Sequence, residues 1–358
     1  MKKIISIVLL LLVVLVGGLI LGPSMVDWNK YKPEILSQLR QLTGHEYGIA
    51  GNIELAIVPQ PRVKIDGLSV GMPQNLGGST IASLERVAVN VELMPLLQKQ
   101  IVIKSVELVK PVFNLGVRAD GTAVWMTPEL QAKLDAGKAV TAEPRRAAGD
   151  ALAHAIALHQ IRIKEGSFSY SDEAKKTSTA LDQINLDIEG GSLFGPYKIE
   201  GQVAYKNQPV TVAIKTTKVA DFNAAIPVQA QFNLPSGGTV LTYSGVVATK
   251  PSLEVQGEAA FKTNSLAEVI KALTGTINPA LAKPLKVTGI LTYNTAGADY
   301  KNVALNIAGS EATGSVMIKN IAKDAGTPMD VVLSLKSDQL SLDDLWPSPA
   351  NTAPQKKQ

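Results

Sequence analysis

The chain of 358 residues contains no cysteine, three histidines and only 5% aromatic residues. Without cysteine, a disulfide scaffold and any thiolate metal site are excluded. Charged residues are also scarce, at 18%, while hydrophobic residues reach 46%. That balance excludes a mostly disordered chain. Neither sign of charge dominates. The 35 Lys+Arg face 31 Asp+Glu, and without Lys2 and Lys3 the count is 33 against 31. No nucleic-acid partner is expected from so neutral a balance.

Catalytic patterns are scarce too. His154 and His159 are five apart, which does not align them on one helical face, and His45 stands alone after Gly44. The sequence has no H-E-x-x-H, no P-loop and no G-x-G-x-x-G. Asp343-Asp344 reads as a helix start rather than a metal pair. Gly67-Leu68-Ser69-Val70-Gly71 matches the G-x-S-x-G nucleophile elbow, which needs a strand-to-helix turn behind the serine. Here the flanking Val63, Ile65, Leu68 and Val70 have strand spacing, and Met72-Pro73 blocks an immediate helix. Ser69 therefore reads as a strand residue. No enzyme activity, cofactor or metal is expected.

What the sequence does have begins with Ile4 to Leu21, 18 residues with no charge. In lipid such a run must be helical, and it would span roughly 27 Å, close to a bilayer's hydrocarbon thickness. A cleaved signal peptide would have a shorter apolar run ending in a small-x-small site. This run ends in Leu21-Gly22-Pro23-Ser24-Met25. Residues 1–24 are therefore expected to form a transmembrane anchor. Lys2 and Lys3 put the N-terminus in the cytoplasm and the body on the far side, the periplasm in a bacterium.

After the anchor a short helix is expected from Lys30 to Leu42, with Asp27 or Asn29 as its cap and Gly44 as its stop. Period-2 alternation then dominates, as in Val87, Val89, Val91 and Leu93 against Ala88, Asn90 and Glu92. It returns at Ile101 and Ile103, at Phe113, Leu115 and Val117, at Ile184, Leu186 and Ile188, and in later strands through Leu335. Turn residues such as Asp120-Gly121 and Lys206-Asn207 separate the strands. Few helical patterns intervene, so the expectation is a mainly β fold: a long antiparallel sheet, apolar on one face. Helices are expected only near Ser265–Leu273, Ala220–Asn223 and Leu342–Leu345. Residues 25–125 form one β module and 158–346 a second. An Ala-rich, charged linker at 126–157 joins them, and 347–358 is an unstructured tail.

The N-terminal third resembles the AsmA family of bacterial envelope proteins. The likeness runs through Asp27-Trp28-Asn29-Lys30-Tyr31-Lys32, Leu42-Thr43-Gly44 and Ile49-Ala50-Gly51-Asn52-Ile53-Glu54-Leu55. It continues in Val58-Pro59-Gln60-Pro61, Leu93-Met94-Pro95-Leu96-Leu97 and Val106-Glu107-Leu108-Val109-Lys110-Pro111. Asp120-Gly121 with Trp125 closes the block, with Val124 where the family usually has Asn. In this resemblance Asp27, Trp28, Tyr31, Lys32, Gly44, Gly51, Pro59, Pro61, Pro95, Pro111, Gly121 and Trp125 are structural motif residues. The chain is shorter than many relatives.

The resemblance implies an inner-membrane anchor, a periplasmic β-rich body and a part in outer-membrane biogenesis. It also implies kinship with bridge-like lipid-transfer proteins, whose chorein-like N-terminal module leads into a curved sheet forming an open groove. The implied partners are phospholipid or another envelope lipid, and envelope assembly proteins. Val89, Val91, Ile103, Phe113 and Leu115 are candidates for lining such a groove. Pattern alone favours a β-sandwich with its apolar faces stacked, in which case the protein would be an assembly scaffold without lipid; the resemblance favours the groove.

Overall fold

The computed structural model describes residues 26–57, 60–74, 77–97, 102–132, 157–192, 195–217, 225–248, 252–319 and 330–337. The expected anchor at Ile4–Leu21, Pro59, most of the 126–157 linker, the helices expected near 220–223 and 342–345, and the tail lie outside these residues. No helix among the described residues is long and apolar enough to cross a membrane. The chain divides into two compact units, Met1–Tyr197 and Lys198–Gln358.

The first unit opens with a 3-10 turn, Trp28–Tyr31, in which Asp27 Oδ1 accepts from the Asn29 amide at 3.1 Å. Helix α1 (Lys32–Thr43) follows, with Pro33 in its first turn, where no amide partner is lost. It stops at Gly44, whose φ of 74° lets its N–H reach the Arg40 carbonyl at 2.7 Å. A Cβ there would fall 2.3 Å from Glu129 Oε2 and 2.9 Å from Thr127 Oγ1.

Strands β1 (Glu46–Ile49) and β2 (Ile53–Ala56) both pair with β3 (Arg62–Gly71). Beyond β3 come β4 (Thr80–Val91), β5 (Val102–Val109) and β6 (Val112–Val117), with helix α2 (Leu93–Leu97) between β4 and β5. Strands β7 (Ala157–Asp172) and β8 (Thr177–Gly190), expected in the second module, pair within this unit.

The sheet is mixed, not wholly antiparallel, because β7 runs parallel to both β5 and β6. The reason lies in the connection. Parallel neighbours need a crossover of a dozen or more residues, and the stretch between Val117 and Ala157 is long enough to carry the chain back. What a crossover needs is chain length, whether or not that chain is helical. Strands β5 and β6 act as one strand, since Val109 faces Lys164 and Val112 faces Ser167 in a single offset. The ladder persists across the break: the Lys110 amide donates to the Lys164 carbonyl at 2.8 Å, and the Ser167 amide to the Pro111 carbonyl at 2.7 Å.

Apolar alternation slips by one residue along this line. It passes from Val63 and Ile65 to Leu68 and Val70 in β3, and from Val106 and Leu108 to Phe113 and Leu115 in β5 and β6. In β7 it passes from Ile161 and Ile163 to Phe168 and Tyr170. Left-handed residues mark the slip: Gly67 (φ 66°), Lys110 (47°), Glu165 (51°) and, in β8, Gln183 (48°). A residue added in that conformation bends a strand and resets its alternation.

The second unit is an antiparallel meander in which each strand pairs with the next. Its strands are β9 (Tyr197–Tyr205), β10 (Gln208–Thr216), β11 (Ile226–Leu234), β12 (Thr239–Ala248) and β13 (Glu254–Thr263). Then come β14 (Leu285–Asn294), β15 (Gly297–Ile307), β16 (Ser310–Lys319) and β17 (Asp330–Lys336). Lys206 and Asn207 both take positive φ, the twist a two-residue hairpin requires. The expected helix near 265–273 is α3 (Leu266–Thr274), capped by Ser265 Oγ, which accepts from the Glu268 amide.

Candidate functional site

In an antiparallel or parallel ladder, residues directly opposite each other share a face. Reading the registers across the first unit gives two aliphatic rows. One holds Leu55, Val63, Val89, Val106, Ile161 and Ile188. The next holds Ile53, Ile65, Val87, Leu108, Ile163 and Leu186. Both cross six strands, β2, β3, β4, β5, β7 and β8. At about 4.8 Å per strand they run about 24 Å. Of the twelve side chains only Ile53 is buried; the others are half-buried.

The reverse face is ionic. Lys64 pairs with Glu54 at 3.1 Å and with Asp66 at 3.2 Å, and Asp66 receives Arg86 Nε at 2.7 Å. Farther along, Lys164 meets Glu107 at 3.0 Å and Arg162 meets Asp187 at 3.1 Å. The Arg86 guanidinium beside Asp66 holds its carboxyl below the ordinary value; partial burial opposes this and Lys64 adds to it. Exposed pairs contribute little stability each. Their consequence is orientation, because this face belongs in water and the aliphatic one does not.

The second unit has the same asymmetry. Val247, Val255, Tyr293, Ala298, Ile318 and Val331 form one row across β12 to β17. Lys215, Gln229, Ser244 and Glu258 form a row on the other face.

The five candidate lining residues are placed as follows. Val89 lies in the first aliphatic row. Val91 stands opposite Ile103 at a register shift. Phe113 faces Phe168, and Leu115 faces Tyr170, beyond the bulge line. The sequence reading did not single out Ile53, Val106, Leu108, Ile161 or Ile163 as lining. For Ile161 and Ile163 the signal was the alternation Gln160-Ile161-Arg162-Ile163-Lys164, next to the linker.

The motif residues gather at the start of the unit, apart from the rows. Trp28 and Tyr31 rings sit 5.8 Å apart, and Lys32 Nζ donates to the Gly51 carbonyl. Asn29 Oδ1 accepts from the Ile53 amide at 3.1 Å. His45 is buried, and its Nε2 donates to the Trp125 carbonyl at 3.0 Å. Thr127 Oγ1 donates to the Thr43 carbonyl, and Gly121 sits in a turn at φ 82°. Pro61 and Pro111 are buried, and their carbonyls accept from Val91 and Ser167. Pro95 lies within α2. These contacts tie α1 and the 121–132 segment to the first strands.

Ser69 lies inside β3, opposite Gly48 and Ser83, with no helix behind it. Among the described residues no group of three or more His, Asp or Glu could hold a metal.

The sequence matches the AsmA family over residues 1–323. It is 24% identical over 360 residues to the AsmA family protein YhjG of Escherichia coli (strain K12), an alignment covering 90% of this chain and 49% of that protein. The chain thus spans about half the length of that relative. No solved structure matches. With a family match over most of its length, the chain belongs to the AsmA family.

Proposed function

We propose that this protein binds phospholipid tails on the aliphatic face of its sheet and hands them on within the cell envelope, in support of outer-membrane biogenesis. In this reading Ile4–Leu21 anchors it in the inner membrane, with the N-terminus cytoplasmic and the body in the periplasm. The observation that carries the reading is the pair of half-exposed aliphatic rows backed by an ionic face.

The energetics favour it. A shielded methylene gains about 0.8 kcal/mol over one in water. A bilayer core of about 30 Å holds two tails end to end, so one tail of about 15 Å fits within a row. The headgroup stays wet at the edge, and no reacting side chain is needed.

The test is lipid uptake by the full-length protein purified in detergent. Native mass spectrometry should find bound phospholipid, and delipidated protein should take up labelled phospholipid. Delipidated, folded protein that takes up none would overturn the reading and leave an envelope scaffold without lipid cargo.

A further inference from the structure

Among the described residues, strand β17 is an open edge that pairs only with β16. All seven of its residues are exposed, including Val331 at 61%, Leu333 at 60% and Leu335 at 37%. Natural sheets guard such edges with proline, bulges or inward charges. The sequence Asp330-Val331-Val332-Leu333-Ser334-Leu335-Lys336 has none of these between its end residues.

The strand is also complementary to itself. Laid antiparallel on a copy and centred on Leu333, it sets Asp330 against Lys336 at both ends. Val331 then meets Leu335, and Val332 meets Ser334. Opposite charges and apolar pairs facing each other are what an antiparallel ladder rewards. We propose that two copies of the chain join edge to edge through β17, with a two-fold axis at Leu333.

Such an axis stands perpendicular to the strands and the sheet. Val331, Leu333 and Leu335 share the face of Ile318 and Val316, so the apolar face of one copy runs on into that of the other. The pairing does not depend on lipid being bound.

The absence of native cysteine makes the register directly testable. Directly opposed residues of an antiparallel pair have Cα atoms about 4.5–5.5 Å apart, within disulfide range. Full-length L333C in detergent should oxidise to a covalent dimer. V331C and L335C alone should not, since each lies about 13 Å from its own copy. A mixture of V331C and L335C should cross-link. In sedimentation, D330K or K336D should each weaken the dimer about tenfold, and the double reversal should restore it. A monomer at all concentrations, cross-linking without regard to position, or single reversals that leave the dimer unchanged would each overturn the proposal. So would cross-linking of L333C to a different protein in membranes with none to itself.

Discussion

Val89 stands directly opposite Val106 across the β4–β5 ladder, and neither side chain is fully covered. Next to Val106 along β5, Ser105 points to the other face and accepts a hydrogen bond from Asn90 Nδ2 at 2.9 Å. Adjacent residues therefore test opposite faces of one sheet. V106D should lower cross-linking to a photoactivatable phospholipid at least tenfold, because a carboxylate in hydrocarbon costs about 2.5 kcal/mol or more. S105D should retain it. Circular dichroism should show β structure in both. Equal loss in the two variants would sink the assignment of faces.

Asp66 gives the sheet an acid sensitivity. Its carboxyl titrates below the ordinary range because Arg86 Nε donates to it, with Lys64 beside it. A group whose folded value is depressed stabilises the fold above its unfolded value, near 4, and loses that contribution as pH falls through the folded value. The melting temperature of the wild type should therefore fall below about pH 4 more steeply than that of D66N. R86Q should also flatten the profile by raising Asp66 toward its unfolded value. Parallel profiles in all three proteins would show that the ion pair has no linkage to folding.

The alternation that defines the aliphatic face was legible in β4, where Val87 and Val89 alternate with Ala88 and Asn90. Helix α3 was legible too, because its Ser265 cap and Gly275 stop bracket apolar residues at helical spacing. Ile103 shows where reading strand by strand fails. It stands opposite Val91 where the β4–β5 register shifts, a nonlocal irregularity that period 2 cannot supply. Phe113 and Leu115 continue the apolar series only because the left-handed Lys110 resets the phase. A lysine before a proline carries no such signal by itself. The parallel course of β7 depends likewise on where a long connection re-enters, and composition is silent on that.

Gly245 and Gly257 face each other across β12 and β13, and the Tyr243 hydroxyl reaches past them to the Val246 and Gln256 carbonyls at 2.8 and 3.0 Å. A Cβ on Gly245 would lie 2.5 Å from Gly257 Cα and 2.3 Å from the Gln256 oxygen. That oxygen and Cα are backbone and cannot swing aside. G245V should destabilise the fold by about 1–3 kcal/mol, as overpacking does. Y243F keeps the ring and loses the hydroxyl contacts, so its cost should be nearer 1 kcal/mol. Chemical denaturation followed by β-sheet circular dichroism measures both. A neutral G245V would mean that the two strands can part without penalty.

Ser69 offers a check on the non-catalytic reading. Its hydroxyl lies in the middle of β3, 3.5 Å from the Gly48 carbonyl, at the limit of a hydrogen bond. A nucleophile elbow would present that oxygen on a tight turn ahead of a helix, whereas here the backbone continues as strand to Gly71. Removing so weak a contact should change stability by less than about 1 kcal/mol. S69A should therefore keep the wild-type melting temperature, the wild-type lipid retention and full complementation of any envelope defect caused by deleting the gene. If S69A folds and retains lipid but fails to complement, the hydroxyl has a chemical task, and the protein must be read as an enzyme after all.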